Sequence, residues 1–335
     1  MSDEMNSTCN ALVGERIDRL MTVEIRPLTG GLPSGYVQPL YDICRKHHGA
    51  PLSMLAAESL HNRIQPGDTV FIATGAGVAP ALPLGETDGP PGAAVLARAL
   101  ARGFECRVVL VTEDIHLAPV EACAAVASET LDGQGSITVV SFPKGLSAGH
   151  QTATSLFQEY NPTAVIFVER DGPNAEGYFH GVRGDFREPD AVGHVYLLAD
   201  LAKVHNVLTV GVGDGGNEVG FGDVRAAVTA VHPLGAISKG GFPSGVITVT
   251  ATDVVVAASV SNWGAYAICA ALAYLTGKPD LIHSPELERD MVEACVRGGG
   301  RDGANGLHQP SVDGIDLDGH AAFVQLLNSI VNVSR

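Results

Sequence analysis

The sequence predicts an α/β fold: a doubly wound, mostly parallel sheet with helical additions at its N- and C-terminal ends. Three observations carry this reading. Six short β-rich runs alternate with helical patterns between residues 69 and 250. The runs are continuously apolar instead of alternating, as expected of strands covered on both faces. The composition supplies a core to cover them. Of 335 residues, 45% are hydrophobic and 17% charged, which also excludes a disordered chain.

Taken in order, residues 1–66 read as a helical N-terminal extension packed on the main domain. Residues 51–63 have helical periodicity, and Pro66-Gly67 breaks it. Residues 67–335 then form the α/β domain, giving a single domain overall. Strands are expected at 69–74, 107–112, 137–141, 164–169, 207–212 and 246–250. Helices are expected between them at 93–102, 119–128, 151–160 and 195–205. The apolar stretch after Thr250 begins with a further strand or a turn. Asn262 then resembles a helix N-cap, residues 263–275 form an apolar helix, and Gly277 stops it. That helix serves either the core or a subunit interface, which leaves a homo-oligomer open. Two more helices, near 285–295 and 320–333, flank a Gly-rich stretch.

Charge excludes several classes of partner. Lys and Arg number 21 against 37 Asp and Glu, a net charge of −16. Nucleic acid and anionic lipid both call for a basic footprint. No apolar run reaches the ~20 residues that span a bilayer. The early acids Asp3 and Glu4, with no apolar core behind them, argue against a secretory signal; the few arginines argue against a transit peptide. The six cysteines form no C-x-x-C pair, and Cys106 and Cys269 sit in apolar runs. Free thiols of this kind indicate a reducing, cytoplasmic setting, and none is expected to be catalytic.

The chemistry belongs at the carboxyl ends of the strands, where open parallel sheets bind ligands. Polar, Gly-rich segments fall there repeatedly: 75–93, 112–114, 169–172, 211–222 and 261–264. Several acidic loops on one rim cost energy unless a cation or an ammonium group lies among them. Gly75 and Gly77 begin a dinucleotide-like G-x-G, but Pro80 stands where the third glycine belongs, and the helix starts about fifteen residues after the strand. No G-K-[ST] follows a Gly-rich stretch, so no nucleotide cofactor is expected. The twelve histidines show no H-x-H or H-E-x-x-H spacing. Any metal should be a hard one on oxygen ligands, Mg²⁺ or Mn²⁺. A serine-hydrolase elbow is absent as well. Glu86 and Asp88 precede a helix and either favour its dipole, by ~0.3–1 kcal/mol, or hold a cation. Residues 213–220 (GDGGNEVG) can form an anion nest and add Asp214, Asn217 and Glu218. Glu169 and Arg170 end a very apolar strand and are expected to face a pocket.

The segments TGAGVAPALPLGETDGPPGA, VERDGPNAEGYFHGVRGDF, GVGDGGNEVGFGDV and SVSNWGAYAICAALAYL resemble the D-glutamate cyclase family. A weaker match is NGLHQPSVDGID with His320 after it. Together they span roughly residues 50–325. The chain departs from the family pattern at Asp171, where a small apolar residue often follows Glu-Arg. The resemblance implies a hydro-lyase that cyclises D-glutamate to 5-oxo-D-proline with loss of water; the handedness comes from the resemblance alone. Set against that chemistry, Glu86, Asp88 or Glu218 could serve as base, and Glu169 and Asp214 complete the carboxylates of the catalytic set. Arg170, the nest formed with Gly215, Gly216 and Asn217, or a divalent ion on Asp88, Asp214 and Glu218 would neutralise the side-chain carboxylate. Arg183, or the helix start at Ser261 and Asn262, would hold the α-carboxylate. Tyr178 is a candidate hydrogen-bond donor, and Thr74 and Gly75 complete the expected substrate-binding set. The partner is thus a small amino acid. Alternatives are a related amino-acid cyclase, a lactam hydrolase with another small substrate, or a non-catalytic amino-acid sensor.

Overall fold

The apolar runs of the sequence pair side by side. The computed structural model describes residues 2–25, 32–133 and 135–334, with side chains from residue 8 onward. Strands β1 (Thr69–Thr74), β2 (Arg107–Glu113), β3 (Ser136–Phe142) and β4 (Ala164–Val168) come first. A short antiparallel pair, β5 (Phe179–His180) and β6 (Phe186–Arg187), precedes β7 (Leu208–Gly213) and β8 (Val254–Ala257). The hairpin β9 (Ser311–Val312) and β10 (Ile315–Asp316) lies near the C-terminus. The central sheet has six strands in the order β3-β2-β1-β4-β7-β8, and every pairing in it is parallel. Strand order reverses between β1 and β4. That reversal opens a crevice at the carboxyl ends of those two strands.

The helices are α1 (Ser2–Met21), α2 (Val37–His48), α3 (Leu52–Arg63), α4 (Pro90–Phe104), α5 (Leu117–Glu129) and α6 (Leu146–Tyr160), followed by α7 (Leu197–His205), α8 (Arg225–Val231), α9 (Ser261–Thr276), α10 (Pro285–Arg297) and α11 (Leu317–Val333). They cover both faces of the sheet. Along β1, Val70 and Ile72 point into the larger core, shared with α3, α4 and α9, while Phe71 and Ala73 point into a second core under α6 and α7. This is the two-residue period of a strand buried on both sides, and it explains the unbroken apolar run. Helix α9 is buried from Ser261 through Ala273 and packs on α1, α3, α4 and α11. It therefore belongs to the core and offers no face to a second subunit.

One expected strand is corrected. Residues 246–250 are not in the sheet, and the sixth strand is β8. The backbone of the expected strand is bound to loops instead. Thr248 N–H donates to Gly216 O at 3.1 Å, Val249 N–H to Pro173 O at 2.8 Å, and Thr250 O accepts from Gly220 N–H at 2.9 Å. The segment underpins the glycine-rich turn after β7. No helix among the described residues is long and apolar enough to cross a membrane. All six cysteines are unpaired, Cys9 exposed and the rest buried.

Candidate active site

A cavity of about 140 Å³ lies at the switch point, over the carboxyl ends of β1, β4 and β7. Drug-sized pockets span ~300–1,000 Å³, so this one suits a small molecule and is too small for a dinucleotide. Among the described residues its walls carry seven carboxylates, on Glu86, Asp88, Glu169, Asp171, Asp185, Asp214 and Asp313. Two guanidinium groups, on Arg183 and Arg187, face them, and Asn217 adds an amide.

The acidic loop after β1 is fixed by helix α9. Asp88 does not cap its own helix. Its Oδ2 accepts from Ser261 N–H at 2.9 Å and its Oδ1 from Asn262 N–H at 2.8 Å, so it caps α9. Asn262 returns the contact. Its Oδ1 accepts from Gly89 and Gly92 N–H, at 2.9 and 2.7 Å, and caps α4. Asn262 was expected to cap its own helix; it sits inside the first turn of α9 and caps the neighbour. A Cβ on Gly92 would stand 2.7 Å from Asn262 Oδ1, so only glycine admits this approach. The N–H groups at the start of α9, expected to hold the substrate α-carboxylate, are thus occupied by Asp88.

The turn after β7 behaves the same way. Glu218 folds back over it, and its carboxylate accepts from the N–H groups of Asp214, Gly215 and Gly216 at 3.3, 2.9 and 2.7 Å. The anion nest forms as expected, but the chain's own Glu218 fills it. Gly215 and Gly216 therefore have no free N–H for a substrate there. Arg170, expected to face the pocket, is 1% exposed and pairs with Glu113; it also donates to the carbonyls of Gly75 and Gly193. Burial pushes the Glu113 carboxyl up, but Arg170, His116 and the Gly193 N–H together hold Glu113 below its ordinary value. Arg170 ties β2 and β4 together and does not line the cavity.

The other expected substrate contacts divide. Arg183 and Asn217 line the cavity. Thr74 lies buried under Gly89, and Gly75 holds Arg170. The ring of Tyr178 packs on Phe186 and Phe242, outside the cavity wall. Ser261 reaches the site indirectly, its hydroxyl donating to the Glu169 carboxylate. Glu169 itself has φ 48°, a conformation sparsely used by side-chain-bearing residues, at the tip of β4.

Three charged cavity residues, Asp185, Arg187 and Asp313, escaped the sequence reading. Arg187 pairs with Asp171, whose other oxygen accepts from Asn217 Nδ2 at 3.0 Å. Asp313 stands in the two-residue turn between β9 and β10. Both Asp313 (φ 52°) and Gly314 (φ 78°) are left-handed there. Asp-Gly between the apolar Val312 and Ile315 is a hairpin signal that could have found it. Nothing in the local sequence marks Arg187, because its partner lies 16 residues away.

Crowding shapes the electrostatics. Burial, and then the neighbouring Asp313 charge, raise the Glu86 carboxyl to about 8. Burial and the same kind of repulsion hold Asp88 and Glu169 well above the usual carboxylate range. Burial also raises Glu218, against the pull of its backbone donors. Two sets of carboxylate oxygens converge to within 4.8 Å of one another: Asp88–Asp214–Asp313 and Glu169–Asp214–Glu218. Asp214 belongs to both. An all-oxygen donor set of this kind fits a hard divalent cation.

Residues 43–328 match the family described as D-glutamate cyclase-like, C-terminal. The chain belongs to this family. The human protein "D-glutamate cyclase, mitochondrial" is 27% identical over 284 residues. That stretch covers 74% of this chain and 43% of the human protein, so less than half of the relative's length is matched. In this D-glutamate cyclase-like chain the matched region runs from α2 into α11 and takes in every cavity carboxylate named above.

Proposed function

We propose that the protein is a hydro-lyase that closes D-glutamate to 5-oxo-D-proline and releases water. The observation that carries this reading is the small switch-point cavity, in which a crowd of carboxylates faces two arginines. Such a site suits a small zwitterion with one ammonium and two carboxylates. Family membership supports the reaction class, and the name of the human relative supports the substrate.

The substrate ammonium cannot attack until it loses a proton, which costs ~3–4 kcal/mol at neutral pH for an amine two to three units above it. Glu86, raised to about 8, has the basicity to accept that proton and the acidity to pass it on. The amine nitrogen then forms a bond to the side-chain carboxyl carbon, and one carbon–oxygen bond breaks. The nitrogen loses two protons in all. Both end on the departing oxygen, which leaves as water, so one carboxyl shuttling in place balances the step. Arg187, braced by Asp171, neutralises a substrate carboxylate that would otherwise repel the lone pair. Arg183 is held by the carbonyls of Gly303 and Ala304, and it takes the other carboxylate. Holding both ends curls the substrate, and the reaction is intramolecular, so most of the entropic barrier is met on binding.

Asp88, Asp214 and Asp313 would hold Mg²⁺ or Mn²⁺. Such an ion, when bound, polarises a carboxyl oxygen as a Lewis acid. The six unpaired thiols support a reducing compartment such as the cytoplasm.

Incubation of the purified protein with D-glutamate, with and without Mn²⁺, tests the reading. Primary amine should disappear as 5-oxo-D-proline accumulates, resolved by chiral chromatography, and L-glutamate should react far more slowly. Binding of D-glutamate with no conversion over hours would overturn it in favour of a sensor.

A further inference from the structure

Trp263 and His320 lie in segments that carry the family resemblance, yet neither lines the cavity. Both are buried, 1% and 0% exposed. The Trp263 indole N–H donates to His320 Nδ1 at 2.9 Å. An indole nitrogen is a donor only, so Nδ1 accepts and Nε2 carries the hydrogen. Nε2 lies 3.3 Å from the Val312 carbonyl. Phe323 stacks on the indole at 4.1 Å and 7°, which fixes its plane.

Val312 immediately precedes Asp313 in the two-residue turn. On the other side of the turn, Gly314 N–H donates to the Asp302 carboxylate at 2.8 Å. The turn that carries Asp313 is thus pinned on both flanks. Trp263 follows directly on Ser261 and Asn262, whose N–H groups hold Asp88. Asp88 and Asp313 are therefore referenced to the same helix turn, one directly and one through His320.

We infer that Trp263 and His320 are positioning residues: a hydrogen-bonded chain from the start of α9, through His320 to the Val312 carbonyl, sets Asp313 opposite Asp88 in the cavity. Its catalytic consequence rests on the cyclase reading; the placement of the hairpin does not. Asp313 is the residue through which the chain acts, so removing the chain should matter only while Asp313 is functional.

The test uses the full-length protein with His320→Leu, which removes both hydrogen bonds, and His320→Gln, which offers an acceptor and a donor in their place. Hydrogen exchange of the 311–316 amides should speed up in H320L and return towards wild type in H320Q. For D-glutamate turnover, H320L should lower kcat ~10–100-fold, the usual effect of losing a group that orients a ligand, with KM little changed. H320Q should recover most of it. In a D313N background, H320L should add little further loss. Should H320L fail to fold, Trp263→Phe takes its place in both arms, since it keeps the ring stack and removes only the donor. Unchanged hairpin exchange, or a full further loss of kcat on top of D313N, would overturn the inference. If the wild-type protein leaves D-glutamate untouched, the cyclase reading fails and hairpin exchange alone decides the positioning role.

Discussion

Asp88 and Asn262 cap each other's helices. Asp88, just ahead of α4, holds the first N–H groups of α9, while Asn262, in the first turn of α9, holds those of α4. Asn262 Nδ2 also donates to Thr87 O at 3.0 Å, closing the joint. A cavity carboxylate is thereby fixed by a contact that spans 174 residues of sequence.

This joint predicts the cost of opening it. Asn262→Ala strands the buried N–H group of Gly92 and leaves that of Gly89 to Asp88 Oδ1 alone. An unsatisfied buried donor costs about 1–3 kcal/mol, so N262A should lose at least that much stability in denaturant unfolding. A midpoint within error of wild type would refute the exchange.

The crowded carboxylates predict a pH dependence. Glu86 rises from 4.5 unfolded to about 8 folded, so the folded state holds this proton more tightly. Its contribution to stability is complete below 4.5 and is lost as pH rises through 8. Asp88, Glu169 and Glu218 are raised too and act in the same direction. Glu113 is held below its ordinary value, so it loses stability only under acid conditions, outside this window. The buried His116 and His232, both lowered to about 4, act in the opposite direction up to the ordinary histidine value of 6.5, so chelator-treated protein should melt progressively lower between about pH 7 and about pH 9, and Glu86→Gln should flatten that slope. Equal slopes for E86Q and wild type would count against the raised Glu86.

The two kinds of arginine should separate cleanly. Arg170 is buried against Glu113, and removing one partner of a buried ion pair costs about 3–5 kcal/mol. Arg170→Met should therefore fail in stability, with folded material near the wild-type KM. Arg187→Met also strands a buried carboxylate, Asp171, and should cost stability too, but its folded material should show a raised KM or a lowered kcat for D-glutamate. The reverse pattern would reassign them.

Asp214 predicts how a cation would report itself. It is the one residue shared by the two convergent carboxylate sets. Mn²⁺ at about a hundred times its Kd should add about 2.7 kcal/mol of stability by linkage, read as a rise in melting temperature. Asp214→Asn should abolish that rise, and Asp313→Asn should weaken it. An undiminished shift in D214N would place the ion elsewhere.

Much of the fold was legible in the sequence. The runs at 69–74 and 107–112 and the helix at 285–295 recur within a residue or two at each end, because apolar periodicity and Pro or Gly punctuation act over a few residues. The misplaced strand at 246–250 shows the limit: its composition suits a strand, but its backbone partners are loops about thirty and seventy-five residues upstream. For the site, the acidic rim was legible and its assignments were not. Arg170, the 213–217 nest and the start of α9 each look like a seat for a substrate anion in isolation.

By itself, the sequence determined the parallel α/β layering, the rim where acids and glycines gather, and the family. Only the tertiary structure decided which of the expected anion seats the chain fills itself. Glu113, Glu218 and Asp88 take three of them, while Arg183 and Arg187 line the cavity wall, Arg187 paired with Asp171. The reason is physical. A buried carboxylate needs donors, its donors here come from distant segments as well as near ones, and local sequence cannot reveal which acid will reach which donor first.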